Sequence, residues 1–227
     1  MTRTPRLLAL ALLIAALAGG AGCGKDKTTQ PRPAPVPRLT PASVVDSLQS
    51  AYRNRTPARY AEMLASDFQF WFDPNTRPSN VPESWNRMQD SSGTASLFLA
   101  TDVSDIRITL THGADVADPR LGHERWRKIR VTDTFLEVDK VPPVGEYITF
   151  RVDGDVQDFY LRQGRTPADT LASSPTSQQW FLVEWHDLAR LSALKRTAAG
   201  AGLRASGSGP VPATQSMTWS SVKALYR

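Results

Sequence analysis

The 227-residue chain carries 27 basic and 22 acidic side chains, of which Arg3 and Arg6 fall in an apolar leader. Without that leader the balance is 25 to 22, a formal +3 spread along the chain, which argues against a nucleic-acid partner. A single cysteine excludes an internal disulfide, and about 200 residues beyond the leader suffice for one domain with its own core.

The leader begins with Arg3 and Arg6 and continues as the unbroken apolar run LLALALLIAALA over residues 7–18. A membrane-spanning helix needs about 20 apolar residues, whereas a run of this length followed by small residues suits the apolar region of a secretory signal. The lone thiol, Cys23, follows Gly20-Ala21-Gly22 and precedes Lys25. A free exposed thiol in an oxidising compartment calls for a chemical role. The stretch resembles a bacterial lipoprotein signal, in which small residues precede a cysteine that is lipidated and becomes the first residue of the mature chain. It departs from that pattern at Gly20, where leucine is usual. The resemblance implies a signal over 1–22, lipidation at Cys23, and an exported protein anchored to a membrane of the bacterial cell envelope. The alternative is plain secretion with cleavage after Ala18. Residues 23–40 carry Pro31, Pro33, Pro35 and Pro37 with few large apolar side chains, the composition of an extended flexible tether.

Thr40-Pro41 is a helix start, because threonine can cap free amides and proline is tolerated at the first helical position. Val44, Val45, Leu48, Ala51 and Tyr52 then recur at helical spacing. Thr56-Pro57 repeats the signal, with Tyr60, Met63 and Leu64 as the stripe of a shorter second helix. The aromatic run DFQFWFDP (67–74) predicts a strand with Phe68, Phe70 and Phe72 facing one way. A third helix is expected within 82–100, with Trp85, Met88, Leu97 and Phe98 inward and a break or kink available at Gly93.

Beyond residue 100 the period becomes two. Ile106, Ile108 and Leu110 alternate with Arg107, Thr109 and Thr111, a half-buried strand, and a long strand covers 124–138. Its cluster RWRKIRV (125–131) reads as a strand with a basic solvent face and a core aromatic rather than as a surface for nucleic acid or anionic lipid. In EYITFRVDGDVQDFYLR (146–162), Asp153-Gly154 is the strongest hairpin signal and predicts Ile148 opposite Phe159. QQWFLVEWHDL (178–188) is the last clear strand, with Glu184 and His186 on one face and Trp185 and Asp187 on the other. Residues 191–217 are Gly/Ser/Pro-rich and read as flexible. TWSSVKALYR (218–227) regains a helical stripe too short to hold alone in water, so it must dock.

This order is α+β: N-terminal helices packed on a curved, mainly antiparallel sheet. The order, the opening SVVDSLQSAYRNRTPARYAEMLASDFQFWF and the closing WFLVEWHD are similar to the nuclear-transport-factor-2-like superfamily over residues 41–190. That resemblance implies a cone-shaped fold, which also houses ketosteroid isomerase and polyketide cyclases. Enzymes of that fold place a carboxylate base and hydroxyl donors inside an apolar cone, and no residue-by-residue match to such a set exists here. Tyr52, Tyr60, Phe70, Trp126 and Trp185 are the candidate pocket lining, and Glu184, His186 and Asp187 the candidate catalytic group. His112, His123 and His186 lack metal-ligand spacing, and neither a phosphate loop nor a serine elbow is present, so no cofactor is expected. Two functions stay open. One is a non-catalytic domain binding an apolar small molecule or an envelope protein, with the membrane reached through lipid. The other is an envelope enzyme of the isomerase or cyclase kind. Oligomeric state is not legible.

Overall fold

The computed structural model describes residues 37–141, 147–171, 177–188 and 213–227. The expected signal, Cys23, the tether up to residue 36 and most of the 191–217 segment lie outside the described residues.

Helix α1 (Pro41–Arg53) starts as its sequence dictates. Thr40 is extended and accepts from the Ser43 amide at 3.2 Å, while Ser43 Oγ accepts from the Thr40 amide at 3.2 Å. Its stripe Val44, Val45, Leu48, Ala51 and Tyr52 is buried. Helix α2 (Pro57–Met63) runs straight into strand β1 (Leu64–Trp71), whose Phe68 and Phe70 are fully buried. Between the two helices Arg55, at φ 49°, donates to the carbonyls of Phe98, Ala100 and Val103, tying this corner to the turn after the third helix. Arg38, within the stretch read as tether, is also pinned. It donates to the carbonyls of Glu62 and Trp180 and to Gln179 Oε1.

Strand β2 (Ser84–Asn86) leads into helix α3 (Arg87–Leu99), capped by Asn86. Leu97, Phe98 and Trp85 are buried as expected, with Trp85 on the strand rather than the helix, but Met88 is 71% exposed. The stripe that faces inward instead includes Asp90, Gly93 and Thr94. Gly93 does not break the helix. A Cβ there would lie 3.2 Å from the Trp85 ring, so the glycine allows close packing.

Strands β3 (Val103–His112), β4 (Val116–Ala117), β5 (Arg127–Lys140), β6 (Ile148–Gln163), β7 (Trp180–Leu188) and β8 (Ala213–Ser216) complete the sheet, with short helix α4 (Ala168–Leu171) before β7 and helix α5 (Trp219–Leu225) after β8. The strand path is β2-β1-β7-β6-β5-β3, antiparallel except for β1 beside β7. β8 lies parallel to the first four residues of β6, where β7 has already ended. This is the curved, mainly antiparallel α+β arrangement that the sequence predicts.

The hairpin expected at Asp153-Gly154 is not formed. β6 runs unbroken through both residues and pairs with β5, Phe150 opposite Val138 and Phe159 opposite Ile129. Gly154 is the extra residue of a β-bulge, with Thr134 opposite Asp155 and Phe135 opposite Asp153, and it adopts φ 80°. The positive φ that an Asp-Gly turn requires is therefore present, but it bends a long strand instead of reversing it.

At the free edge of β3, side chains from α1 occupy the outward backbone groups. Arg53 donates to the Ile108 carbonyl at 2.7 and 3.0 Å, and Gln49 Oε1 accepts from the Leu110 amide at 3.1 Å. In the basic cluster, Arg127 pairs with Asp115 and both Lys128 and Arg130 with Asp158.

Candidate functional site

The helices and the inner face of the sheet enclose an interior to which six elements contribute chemistry. Tyr52 comes from α1, Tyr60 from α2 and Phe70 from β1. Asp90 and Thr94, one helical turn apart, come from α3, and Trp185 and Asp187 from alternate positions of β7. β6 adds Asp155 and Gln157. Four of the five pocket candidates, Tyr52, Tyr60, Phe70 and Trp185, share this space.

Helix α5 fills it. Lys223 Nζ, 7% exposed at the residue level, is paired with Asp90 Oδ1, donates to Tyr60 Oη at 3.0 Å and lies 3.5 Å from Thr94 Oγ1. Tyr60 in turn donates to Asp90 Oδ2. The ammonium sits 4.7 Å from the centroid of Phe70, 4.8 Å from Trp185 and 5.4 Å from Tyr60. Burial pulls the Lys223 pKa down, and Asp90 opposes it. Burial, then Asp90, pushes both Tyr52 and Tyr60 well up, so their phenols remain donors at any working pH.

A second carboxylate pair receives the start of α5. Asp155 Oδ2 accepts from the Trp219 amide at 3.0 Å. Asp187 Oδ2 accepts from the Ser220 amide at 2.8 Å and from the Ser220 hydroxyl, and its Oδ1 from Gln157 Nε2 at 3.0 Å. Gln157 Oε1 accepts from Trp185 Nε1 at 2.5 Å. Burial first, and Asp155 with it, raises Asp187 to about 7 against the pull of these donors. The Trp219 ring packs against Trp185 and Tyr52, at centroid separations of 5.0 and 5.4 Å. The space left beside α5, between Thr94, Leu97, Leu136, Trp219 and Tyr226, is about 10 Å³, the room of a single water. Trp219 Nε1 is buried with no hydrogen-bond partner among the described residues.

Trp126, the fifth pocket candidate, lies on the other face of the sheet. It precedes β5 and packs with Ala65, Tyr160, Phe181 and Val183, its ring stacked on His123 at 4.0 Å. The candidate catalytic group is divided by the sheet. Glu184 and His186 face outward, joined Oε2 to Nε2 at 2.8 Å, while Asp187 faces the interior. Glu184 also accepts from Arg120 at 2.8 Å, and Arg120 forks onto Asp118, which contacts His123. Burial would raise the Glu184 pKa, but the hydrogen bonds from His186 and Arg120 prevail and hold it low. His186 Nε2 is thus directed at a carboxylate within an ion-pair chain.

Asp90, Asp155 and Lys223 are the site residues that the sequence reading passes over. A signal existed for two of them. Lys223 follows Trp219 by four positions and Asp90 precedes Leu97 by seven, so each lies on the apolar stripe of its helix. Among the described residues no group of three His, Cys, Asp or Glu is placed to hold a metal ion.

No protein-family model matches the chain, and no curated protein matches it. Solved structures overlap it in backbone path. A nuclear transport factor 2 (NTF2-like) superfamily protein from Salmonella enterica serovar Typhimurium is 9% identical with a TM-score of 0.43, covering 71% of this chain and 93% of its own. A conserved protein from Planctomyces limnophilus is 13% identical with a TM-score of 0.43, covering 66% and 92%. ActVI-ORFA from Streptomyces coelicolor is 14% identical with a TM-score of 0.41, covering 65% and 92%.

Proposed function

We propose that the chain is an exported binding module, held to a membrane through lipid on Cys23, whose interior is its binding site and is kept closed by α5. One observation carries the reading. α5 supplies the amides, the hydroxyl and the ammonium that the inward carboxylates Asp90, Asp155 and Asp187 use. With α5 seated, the acids and bases of the interior face, among the described residues, a space of about one water, so binding rather than turnover is the use the geometry supports. The incoming group is a small molecule with an apolar body or a segment of an envelope protein.

One feature favours a helix that leaves over one that is permanent core: the seven residues of α5 have no helical stability of their own, which makes docking all-or-none.

Native-state hydrogen exchange tests the reading. The Trp219, Ser220 and Val222 amides should exchange through a local opening well below the free energy that exposes β5 and β6. If these amides exchange only with global unfolding, α5 is a fixed core element and the closed-site reading fails.

A further inference from the structure

We infer that the interior carries a receptor for a primary alkylammonium group, built by Asp90, Tyr60, Thr94, Phe70 and Trp185 and filled here by Lys223. The inference rests on the interior being the binding site and names the chemical class of its ligand.

The receptor is complete without α5. Its parts come from α2, α3, β1 and β7, and they are already fastened to one another. Tyr60 donates to Asp90, and the Phe70 and Trp185 rings meet edge to face at 5.3 Å. α5 adds only the cation. Among the described residues Lys223 is the one lysine in the buried class, and a lone ammonium is expelled from such a site unless its surroundings replace water.

These surroundings do so in two ways. The Phe70 and Trp185 rings lie 4.7 and 4.8 Å from the ammonium, as the walls of aromatic cages do, while Tyr60 meets it through Oη. Three oxygens then match the three N–H bonds of a primary ammonium: Asp90 Oδ1, Tyr60 Oη at 3.0 Å and Thr94 Oγ1 at 3.5 Å. A quaternary ammonium has no N–H to give and would leave Asp90 Oδ1 and the acceptor lone pairs of both hydroxyls unanswered. The site therefore selects a primary amine on a slim apolar stem, such as an alkylamine or the side chain of a lysine.

Chemical rescue tests the receptor on the full chain. Lys223→Ala removes a fragment equal to propylammonium and leaves its space. Propylammonium chloride should raise the melting temperature of K223A by about 3–6 °C at ten times its Kd. Propanol, propyltrimethylammonium, and the doubly substituted D90N/K223A with propylammonium should show no such rise. Equal responses to propylammonium and propanol, or none to either, overturn the receptor. If K223A does not fold unaided, the yield on refolding from urea is read instead. Recovery that depends on the amine supports the receptor, and failure to recover with it overturns the receptor.

Adding octylammonium or the peptide of residues 218–227 to the wild-type chain, with α5 amide exchange as readout, distinguishes a free amine from a protein lysine as the incoming group. Faster exchange with either supports α5 displacement by that source. Rescue of K223A with no change in the wild type by either probe keeps the receptor and overturns the closed-site reading.

Discussion

Replacing Lys223 with methionine keeps most of the side-chain stem and removes the cation from the centre of the domain. Asp90, 0% exposed, would keep the Tyr60 hydroxyl but face no positive charge. Removing one partner of a buried ion pair costs about 3–5 kcal/mol, because the remaining charge is left in a medium that cannot solvate it. For a domain of this size each kcal/mol moves the melting temperature about 2–4 °C, so K223M should melt about 6–20 °C below the wild type. D90N/K223M leaves two neutral groups of similar volume and should recover most of the loss. A double-mutant cycle should then give a coupling energy of at least about 2 kcal/mol. Urea unfolding at pH 7, followed by circular dichroism and tryptophan fluorescence, measures both quantities, and an unchanged m-value confirms that stability alone has moved. A K223M variant within about 0.5 kcal/mol of the wild type, the size of a surface change, would refute the reasoning.

Asp187 is raised to about 7 from an ordinary 3.8, so its contribution to stability is complete below the lower value and lost as pH rises through the higher. The stability of the wild type relative to D187N, read by urea unfolding, should therefore rise by about 2–3 kcal/mol from pH 8 to pH 5, and a difference falling over that range would contradict the burial argument. Gly154→Ala should cost about 1 kcal/mol or more through its positive φ alone, since a Cβ there meets nothing within 4 Å, while Gly113→Ala, equally open and with no positive φ, should be near neutral in the same urea titration. Cys23→Ala should move the protein from membranes to the soluble envelope or culture fraction on cell fractionation. A soluble wild type beginning at Gly19 would instead establish cleavage after Ala18.

Local chemistry and periodicity made most of the architecture legible. The Thr40-Pro41 start, the stripe from Val44 to Tyr52 and the alternation of Ile106, Ile108 and Leu110 each depend on neighbours in sequence, and each element forms where those patterns lie. Gly154 misled because Asp-Gly encodes a backbone conformation, not its use. Whether positive φ reverses a strand or bulges it depends on β5, which pairs along nearly the whole of β6. Trp126 was misplaced because an aromatic beside a strand says nothing about which face it covers, and this sheet has apolar clusters on both. The interior site was the least legible part. Lys223 and Asp90 are 133 positions apart, and each alone looks like an ordinary polar residue of a helix. Only their joint arrival in one closed space explains either.

The occupied edge of β3 governs how the molecule can meet others. A bare edge strand invites another strand to add, and proteins concentrated at a surface suffer most from such sideways growth. Here the outward carbonyl of Ile108 and amide of Leu110 are already spoken for by Arg53 and Gln49, and the opposite end of the strand path is the three-residue β2. A neighbour offering a strand to the middle of β3 finds two of its ladder groups taken, and at β2 it finds only three residues to pair with. Sideways strand addition is hindered at these two places, and recognition there falls to side chains, whose chemistry can be selective where a backbone ladder is not.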